Sequence, residues 1–280
     1  MKLNLVVIIP VLVPSNFFED LKYRLCNYNM DVIVNFINDF SNTIDNLPKN
    51  RIESYSENVR GVNGIFGSPG AARNEGLKVS ESEYLCFWDV DDEPNLDEVV
   101  HLVEQMKLHE ADVGIGNWSF FERQDDPKGI NVVAVGSSPG IWRFVFRREF
   151  ITGLIFSDLK WGEDQLFLAQ VLARKPKVIT SNRIIYSYRK DSPGSLTADK
   201  SLAVSLLSSL AETIPLANNL RGKLGLCLEI MIFRQVFTLF RYGGLRLGVK
   251  AILKVFKSHK KLALVKNITH IFFKNSRSWN

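Results

Sequence analysis

Four carboxylates crowd the end of one apolar run. In YLCFWDVDDEPN, residues 84–95, the segment Tyr84 to Trp88 leads directly into Asp89, Asp91, Asp92 and Glu93. Two ionised carboxylates about 4 Å apart repel by roughly 4 kcal/mol at an effective dielectric of about 20, so they either turn apart into water or share a cation. Clustered aspartates favour a hard divalent ion such as Mg2+ or Mn2+. Two more places carry chemistry that fits. Asn38-Asp39 closes a second apolar run, and Ser68-Pro69-Gly70 opens a helix that bears Arg73. Helix N-termini and guanidinium groups favour phosphate. Together these residues describe a metal–diphosphate site.

The elements that must hold them follow from the apolar pattern. Val6 to Ile9 reads as a buried strand, Asn16 to Tyr28 as a helix, Val32 to Ile37 as a second strand and Ile52 to Val59 as a third. Ser68 is a natural N-cap with Pro69 in the first helical position, for a helix running to about Val79. Tyr84 to Trp88 is a fourth strand, Leu96 to Leu108 an amphipathic helix and Val113 to Phe120 another strand. Phe121 to Val135 reads as a hairpin or excursion, Ile141 to Phe146 as a strand, Glu163 to Ala173 as a short helix and Val178 to Tyr188 as one or two strands. Alternating strands and helices at this spacing predict an α/β sheet, largely parallel and covered on both faces. In such a sheet, ligands bind beyond the carboxyl ends of the strands. Asp39, Arg73 and Asp89 all belong to that rim.

Five motifs now stand in order: Val7-Ile8-Ile9-Pro10, Asn38-Asp39-Phe40-Ser41, Gly70-Ala71-Ala72-Arg73-Asn74-Glu75-Gly76, Asp89-Val90-Asp91-Asp92 and Trp161-Gly162-Glu163-Asp164. In this order and spacing the chain resembles family 2 glycosyltransferases of the GT-A fold, over roughly residues 3 to 190. The resemblance implies transfer of a sugar from a nucleotide-diphosphate sugar to an acceptor hydroxyl, inversion of the anomeric centre, and dependence on Mg2+ or Mn2+. By position it assigns Pro10, Asp39, Arg73, Asp89 and Asp92 to the nucleotide sugar. Asp89 and Asp91 go to the metal, Trp142 and Arg143 to the acceptor side. Asp164 is the candidate general base, with Glu163 as its neighbour and alternative. On residue types alone, Glu163 and Asp164 would equally suit the first turn of a helix, and Trp142 would equally suit the core. Two departures stand out. Asn38 replaces the first of the two acids usual at the second strand end, and Val11-Leu12-Val13 replaces the usual sequence after the first-strand proline.

Composition excludes several classes. The chain has 280 residues, 46% hydrophobic, 23% charged and 11% aromatic, enough to bury a sizeable core and too apolar for disorder. Cys26, Cys86 and Cys227 are too scattered for a disulfide framework or a zinc site, which argues for a reducing compartment. The opening MKLNLVVIIPVLVP reads as a first strand and not as a secretory leader. Charge is divided unevenly. Up to Glu229 there are 24 basic and 30 acidic residues, a net of −6, whereas 11 basic residues and no acid follow it.

We therefore expect an α/β GT-A domain over 1–195, with a nucleotide-sugar half to about 120 and an acceptor-side half over about 121–195. A basic helical extension over 196–280 follows. Arg246, Lys250, Lys254 and Lys257 fall along one helix face, near Ile252, Leu253, Val255 and Phe256. This pattern suits a solvated helix, or one lying on an anionic membrane surface beside a lipid-linked glycan acceptor. The expected location is the cytoplasm, peripheral to the inner face of the membrane. No base-reading motif accompanies the charge, so nucleic acid is not an expected partner. Rival readings are a nucleotide- or glycan-binding GT-A protein without turnover, and a DxD metal-dependent phosphatase. The phosphatase motif would follow the first strand and continue with Gly-Thr or Gly-Val, whereas here it follows the fourth and Asp92-Glu93-Pro94 comes next.

Overall fold

The computed structural model describes residues 4–12, 16–26, 32–41, 52–121, 130–189 and 199–258. Strand β1 (Leu5–Leu12) leads to helix α1 (Asn16–Cys26), then β2 (Val32–Asp39), β3 (Ile52–Ser54) and β4 (Val59–Gly64). Helix α2 (Pro69–Val79) precedes β5 (Tyr84–Phe87), the two-residue β6 (Glu93–Pro94), α3 (Leu96–Leu108) and β7 (Val113–Phe120). The short α4 (Val132–Ser137), a 3-10 turn (Ile141–Arg143), β8 (Phe144–Arg147) and α5 (Arg148–Ile151) come next. They are followed by α6 (Glu163–Ala173) and β9 (Val178–Tyr188). A 3-10 segment (Lys200–Ser205), α7 (Leu206–Asn218) and α8 (Gly222–Ser258) complete the described chain.

The nine strands among the described residues form one sheet in the order β3-β4-β2-β1-β5-β8-β7-β9-β6. The expected parallel arrangement runs through β4-β2-β1-β5. Past β5 the sheet is mixed: β8 is antiparallel to both its neighbours, β9 runs parallel to β7, and β6 closes the edge antiparallel to β9. Pro10 is accommodated because β1 has outrun β5. Ile8 accepts the bond from Trp88 N–H, and residue 10 faces the same side after β5 has ended, so no ladder bond is lost there.

Alternation along β1 feeds two apolar layers. Val6 and Ile8 join one with Ala72, Phe167 and Leu168, while Leu5, Val7 and Ile9 join the other with Leu21, Val99 and Leu102. Helices α1 and α3 thus cover one face, and α2 and α6 the other. Capping holds α2 and α3 in place. The Ser68 hydroxyl accepts from Ala71 N–H, and the Asn95 side chain accepts from Glu98 N–H. Gly76 lets α2 lie close on β1, since a β-carbon there would sit 2.3 Å from Ile8 Cγ2.

Three expected elements change form. Ile52 to Val59 divides into β3 and β4, which pair antiparallel with each other. Val132 to Val135 is helical rather than extended, capped by Asn131, and 122–129 lies outside the described residues. Ile141 to Arg143 is a 3-10 turn, with the strand starting at Phe144. The boundary expected near 195 falls at 190–198, also outside the described residues. Helices α7 and α8 pack into the same apolar layer as α6 through Leu206, Leu210, Cys227, Leu228 and Met231. No helix among the described residues is long and apolar enough to cross a membrane.

Candidate active site

Arg73 stands at the centre. It is 4% exposed on the second turn of α2, and its guanidinium reaches two carboxylates from distant parts of the chain. Nη2 donates to Asp89 Oδ1 and Nη1 donates to Glu163 Oε1, each at 2.8 Å. The same guanidinium lies 5.6 Å from the Phe156 ring centroid. Burial opposes its charge, but Asp89, Glu163 and Asp164 together outweigh burial and hold the group above its ordinary value. The acids respond in the opposite sense. Burial, then the charge of Asp164, pushes Glu163 up to about 7 against the pull of Arg73. Burial also raises Asp164, opposed by Arg73 and by Arg234.

The turn before α6 makes this meeting possible. Gly162 has φ 91°, a left-handed conformation, and a β-carbon there would lie 2.6 Å from Leu206 Cδ2. Its carbonyl accepts from Ser209 Oγ at 3.0 Å, and Ser209 Oγ in turn accepts from Gln235 Nε2 at 3.1 Å. Ser205 Oγ accepts from Trp161 N–H at 3.1 Å. The C-terminal helices therefore fasten the turn carrying Glu163 and Asp164. They also line it: the Trp161 and Tyr242 ring centroids are 5.8 Å apart. Arg234, half-buried on α8, interacts electrostatically with Asp164, Tyr188 and Tyr242.

Asp39 is 5% exposed, and backbone N–H groups occupy both its oxygens. Ser41 and Phe66 donate to Oδ1 and Gly67 to Oδ2, so Asp39 ties the end of β2 to the loop that starts α2. Asn38 explains one departure from the family pattern. Its amide nitrogen donates to Tyr55 Oη at 2.9 Å and Asn63 Oδ1 at 2.7 Å, which a carboxylate could not do.

Two expectations need correction. Asp92, expected to touch the donor, is 1% exposed; Tyr186 Oη donates to one oxygen at 2.7 Å and Arg189 N–H to the other at 2.6 Å. It is a fastener between β9 and the loop after β5. Burial first, then the charge of Asp89, pushes it up to about 8. Arg143, expected on the acceptor side, is 1% exposed and donates from Nε to Gly116 O inside the protein. Burial lowers it to about 10. Trp142 is 7% exposed, stacked on Tyr186 with centroids 4.8 Å apart and planes 8° apart, and lies 5.8 Å from Tyr188. Glu93 is half-buried in β6 and paired with Arg189 at 3.2 Å.

Whether these residues suit a divalent ion can be judged from the donor set. No group of three or more His, Cys, Asp or Glu side chains comes together among the described residues. Asp89 gives one oxygen to Arg73 and remains 34% exposed at its side chain, and Asp91 is half-buried two positions on. Two carboxylates of this kind suit Mg2+ or Mn2+ when substrate phosphates complete the shell. The residues fit.

Several of these partners carried no advance signal. Tyr186 lies within an ordinary strand sequence, and Ser205, Ser209 and Gln235 in ordinary helical sequence. Arg234 had one: with Glu229 it interrupts the apolar run Leu224 to Phe240.

Comparison with known proteins decides the family. The description Glycosyl transferase family 2 matches residues 7–153, just over half of the chain. This chain belongs to glycosyl transferase family 2. The matched span takes in β1 from Val7, Asp39, Arg73, Asp89 and Asp91 and stops short of the Glu163-Asp164 turn. Glycosyltransferase GlyA of Streptococcus pneumoniae is 25% identical over 225 residues, covering 69% of this chain and 31% of that protein. Uncharacterized glycosyltransferase EpsJ of Bacillus subtilis is 26% identical over 164 residues, covering 50% of this chain and 46% of the relative. The family 2 chain thus spans a third to a half of the curated relatives it matches. Among solved structures, S. aureus TarS 1–349 in complex with UDP-GlcNAc superposes with TM-score 0.58 at 15% identity, over 96% of this chain and 91% of the other. Mannosyltransferase PcManGT from Pyrobaculum calidifontis, with GDP-Man and Mn2+, gives 0.55 at 11% identity over 98% and 82%. At these identities the likeness is one of fold, and it is the GT-A fold expected from the motifs.

Proposed function

We propose that this chain moves a sugar from a nucleotide-diphosphate sugar to an acceptor hydroxyl in a single displacement that inverts the anomeric centre. The observation that carries the reading is the Arg73 bridge, because it joins Asp89 of the donor motif to Glu163, next to the candidate base. Asp164 takes the acceptor hydroxyl's proton as that oxygen bonds to the anomeric carbon, and the bond from that carbon to the diphosphate oxygen breaks. Glu163, paired with Arg73, sets the charge beside Asp164. Asp89 and Asp91 would hold Mg2+ or Mn2+, which when bound neutralises charge on the departing diphosphate. Asp39 and Pro10 border the nucleotide end of the rim, and the tyrosines around Trp142 the acceptor end. The structures of TarS with UDP-GlcNAc and of PcManGT with GDP-Man and Mn2+ support a nucleotide-sugar donor and a metal. We assign the acceptor to a glycan or lipid-linked glycan of surface polysaccharide or glycolipid assembly. The enzyme would then work in the cytoplasm, peripheral to the inner face of the membrane.

A thermal-shift screen of nucleoside diphosphates and nucleotide sugars, with and without Mn2+, tests this directly. The expected result is a metal-dependent rise with one nucleotide; a ligand at about 100 times its Kd adds roughly 2.7 kcal/mol. Asp91→Ala should lose the metal dependence and remain folded. No rise with any nucleotide would refute the donor site. Rise without turnover across a broad acceptor panel would favour a binding protein.

A further inference from the structure

We propose that the last four turns of α8 form a docking face for an anionic phospholipid bilayer, with an apolar stripe that enters the interface and a basic stripe that meets the head groups. Helix α8 breaks at Gly244, which has φ 73° and ψ −177°, so residues 245–258 form a separate helical arm. Along this arm Leu245, Val249, Leu253 and Phe256 are 74%, 42%, 52% and 54% exposed. At about 100° per residue these four fall within an arc of about 80°. Arg246, Lys250, Lys254 and Lys257 each follow one position later and fill the adjoining arc. Arg246, Lys250 and Lys257 are exposed and Lys254 half-buried. Gly248, Ala251 and Val255 are buried against the protein. Their arc lies directly opposite the boundary between the apolar and basic stripes.

The sequence places Ile252, Leu253, Val255 and Phe256 near the basic face and does not tell which of them are buried. Packing assigns Val255 to the core and leaves Leu245 and Val249 exposed. Four bulky apolar side chains in water are unfavourable unless something covers them, and charge decides what does. After Glu229 the chain has no acidic residue, so neither this helix nor the residues after it can neutralise the basic stripe. The occupant must bring negative charge along a line and an apolar medium beside it. An anionic lipid surface does both, with lysine stems lying along the apolar boundary and their heads in the phosphate layer. No helix among the described residues is long and apolar enough to span the bilayer, so the arm would lie on the membrane. Docking of this kind needs no donor and would hold whether or not the chain transfers a sugar.

The test is co-sedimentation of the full chain with vesicles of phosphatidylcholine alone and of phosphatidylcholine with phosphatidylglycerol. Binding is expected to the anionic vesicles, weakening with added salt, and not to the neutral ones. Lys250→Gln and Lys257→Gln should each lower partitioning about fivefold. Leu253→Asp combined with Phe256→Asp should abolish it, and both positions are exposed, so the thermal midpoint should stay in place. Equal binding to both vesicles, no binding, or unchanged binding by the double aspartate variant would overturn the proposal. So would a dimer in light scattering that the double variant dissociates, because a second copy would then be the occupant.

Discussion

Arg73 pairs with residues 16 and 90 positions away, and both partners are acids. Removing it leaves Glu163 buried without its counter-charge, a change that costs about 3–5 kcal/mol when a buried pair is broken from one side. Arg73→Ala should therefore lower the unfolding free energy measured by urea denaturation by an amount in that range and abolish transfer. Arg73→Lys should rescue little, because one ammonium cannot hold two carboxylates in a fork. The acids make a pH prediction. A base must be ionised to accept a proton, and burial has raised both Glu163, to about 7, and Asp164. With Asp164 raised, activity should begin to fall while the pH is still above the ordinary carboxylate range near 4. Asp164→Asn should abolish transfer with the fold intact. In Glu163→Gln, which removes a negative neighbour, the acid limb of the pH–rate profile should move to lower pH. Motif order made Arg73, Asp89, Asp91 and Glu163-Asp164 legible as candidates. It misplaced Asp92 and Arg143, because a polar residue beside a motif looks the same in one dimension whether it faces a ligand or fastens a loop.

The turn before α6 carries the consequence at the scale of elements. Gly162 needs a left-handed backbone and has Leu206 against the place of a β-carbon. Gly162→Ala should lose about 1–2 kcal/mol from backbone conformation alone, and more from the contact. Gln235→Ala removes one donor to Ser209, one bond away from Gly162. It should reduce kcat more than donor KM if the turn positions the base, with a stability loss near 1 kcal/mol. Helices α2, α3 and α6 were legible because each has an apolar period or a recognisable start. The Ile52 to Val59 segment was not: it is two strands around a reversal, and a short apolar run has no period that reveals where it turns back.

For the whole molecule, burying carboxylates ties stability to pH. Glu163 and Asp92 bind protons more tightly folded than unfolded, with folded values of about 7 and about 8. Their contribution to stability is complete below about pH 4, and is lost as the pH rises through those two values. Denaturation midpoints should fall between about pH 4 and about pH 8, and Asp92→Asn should flatten the upper part of that decline. The chain also joins parts that its charge pattern separates. The basic C-terminal helices read as an appendage, yet α7 and α8 share the apolar layer under the sheet and hold the Glu163-Asp164 turn.

By itself the sequence determined the α/β class, the helices α2, α3 and α6, and the candidate residues carried at the strand ends. Those follow from local signals: apolar runs, capping residues and a motif attached to each strand end. Only the tertiary structure decided that Arg73 ties Asp89 to Glu163, that Asp92 is enclosed by Tyr186 and Arg189, and that α8 lends Arg234 and Gln235 to the site. The reason is physical. A side chain's type sets which interactions it can make, whereas burial and the charge beside it depend on chain segments that meet only after folding.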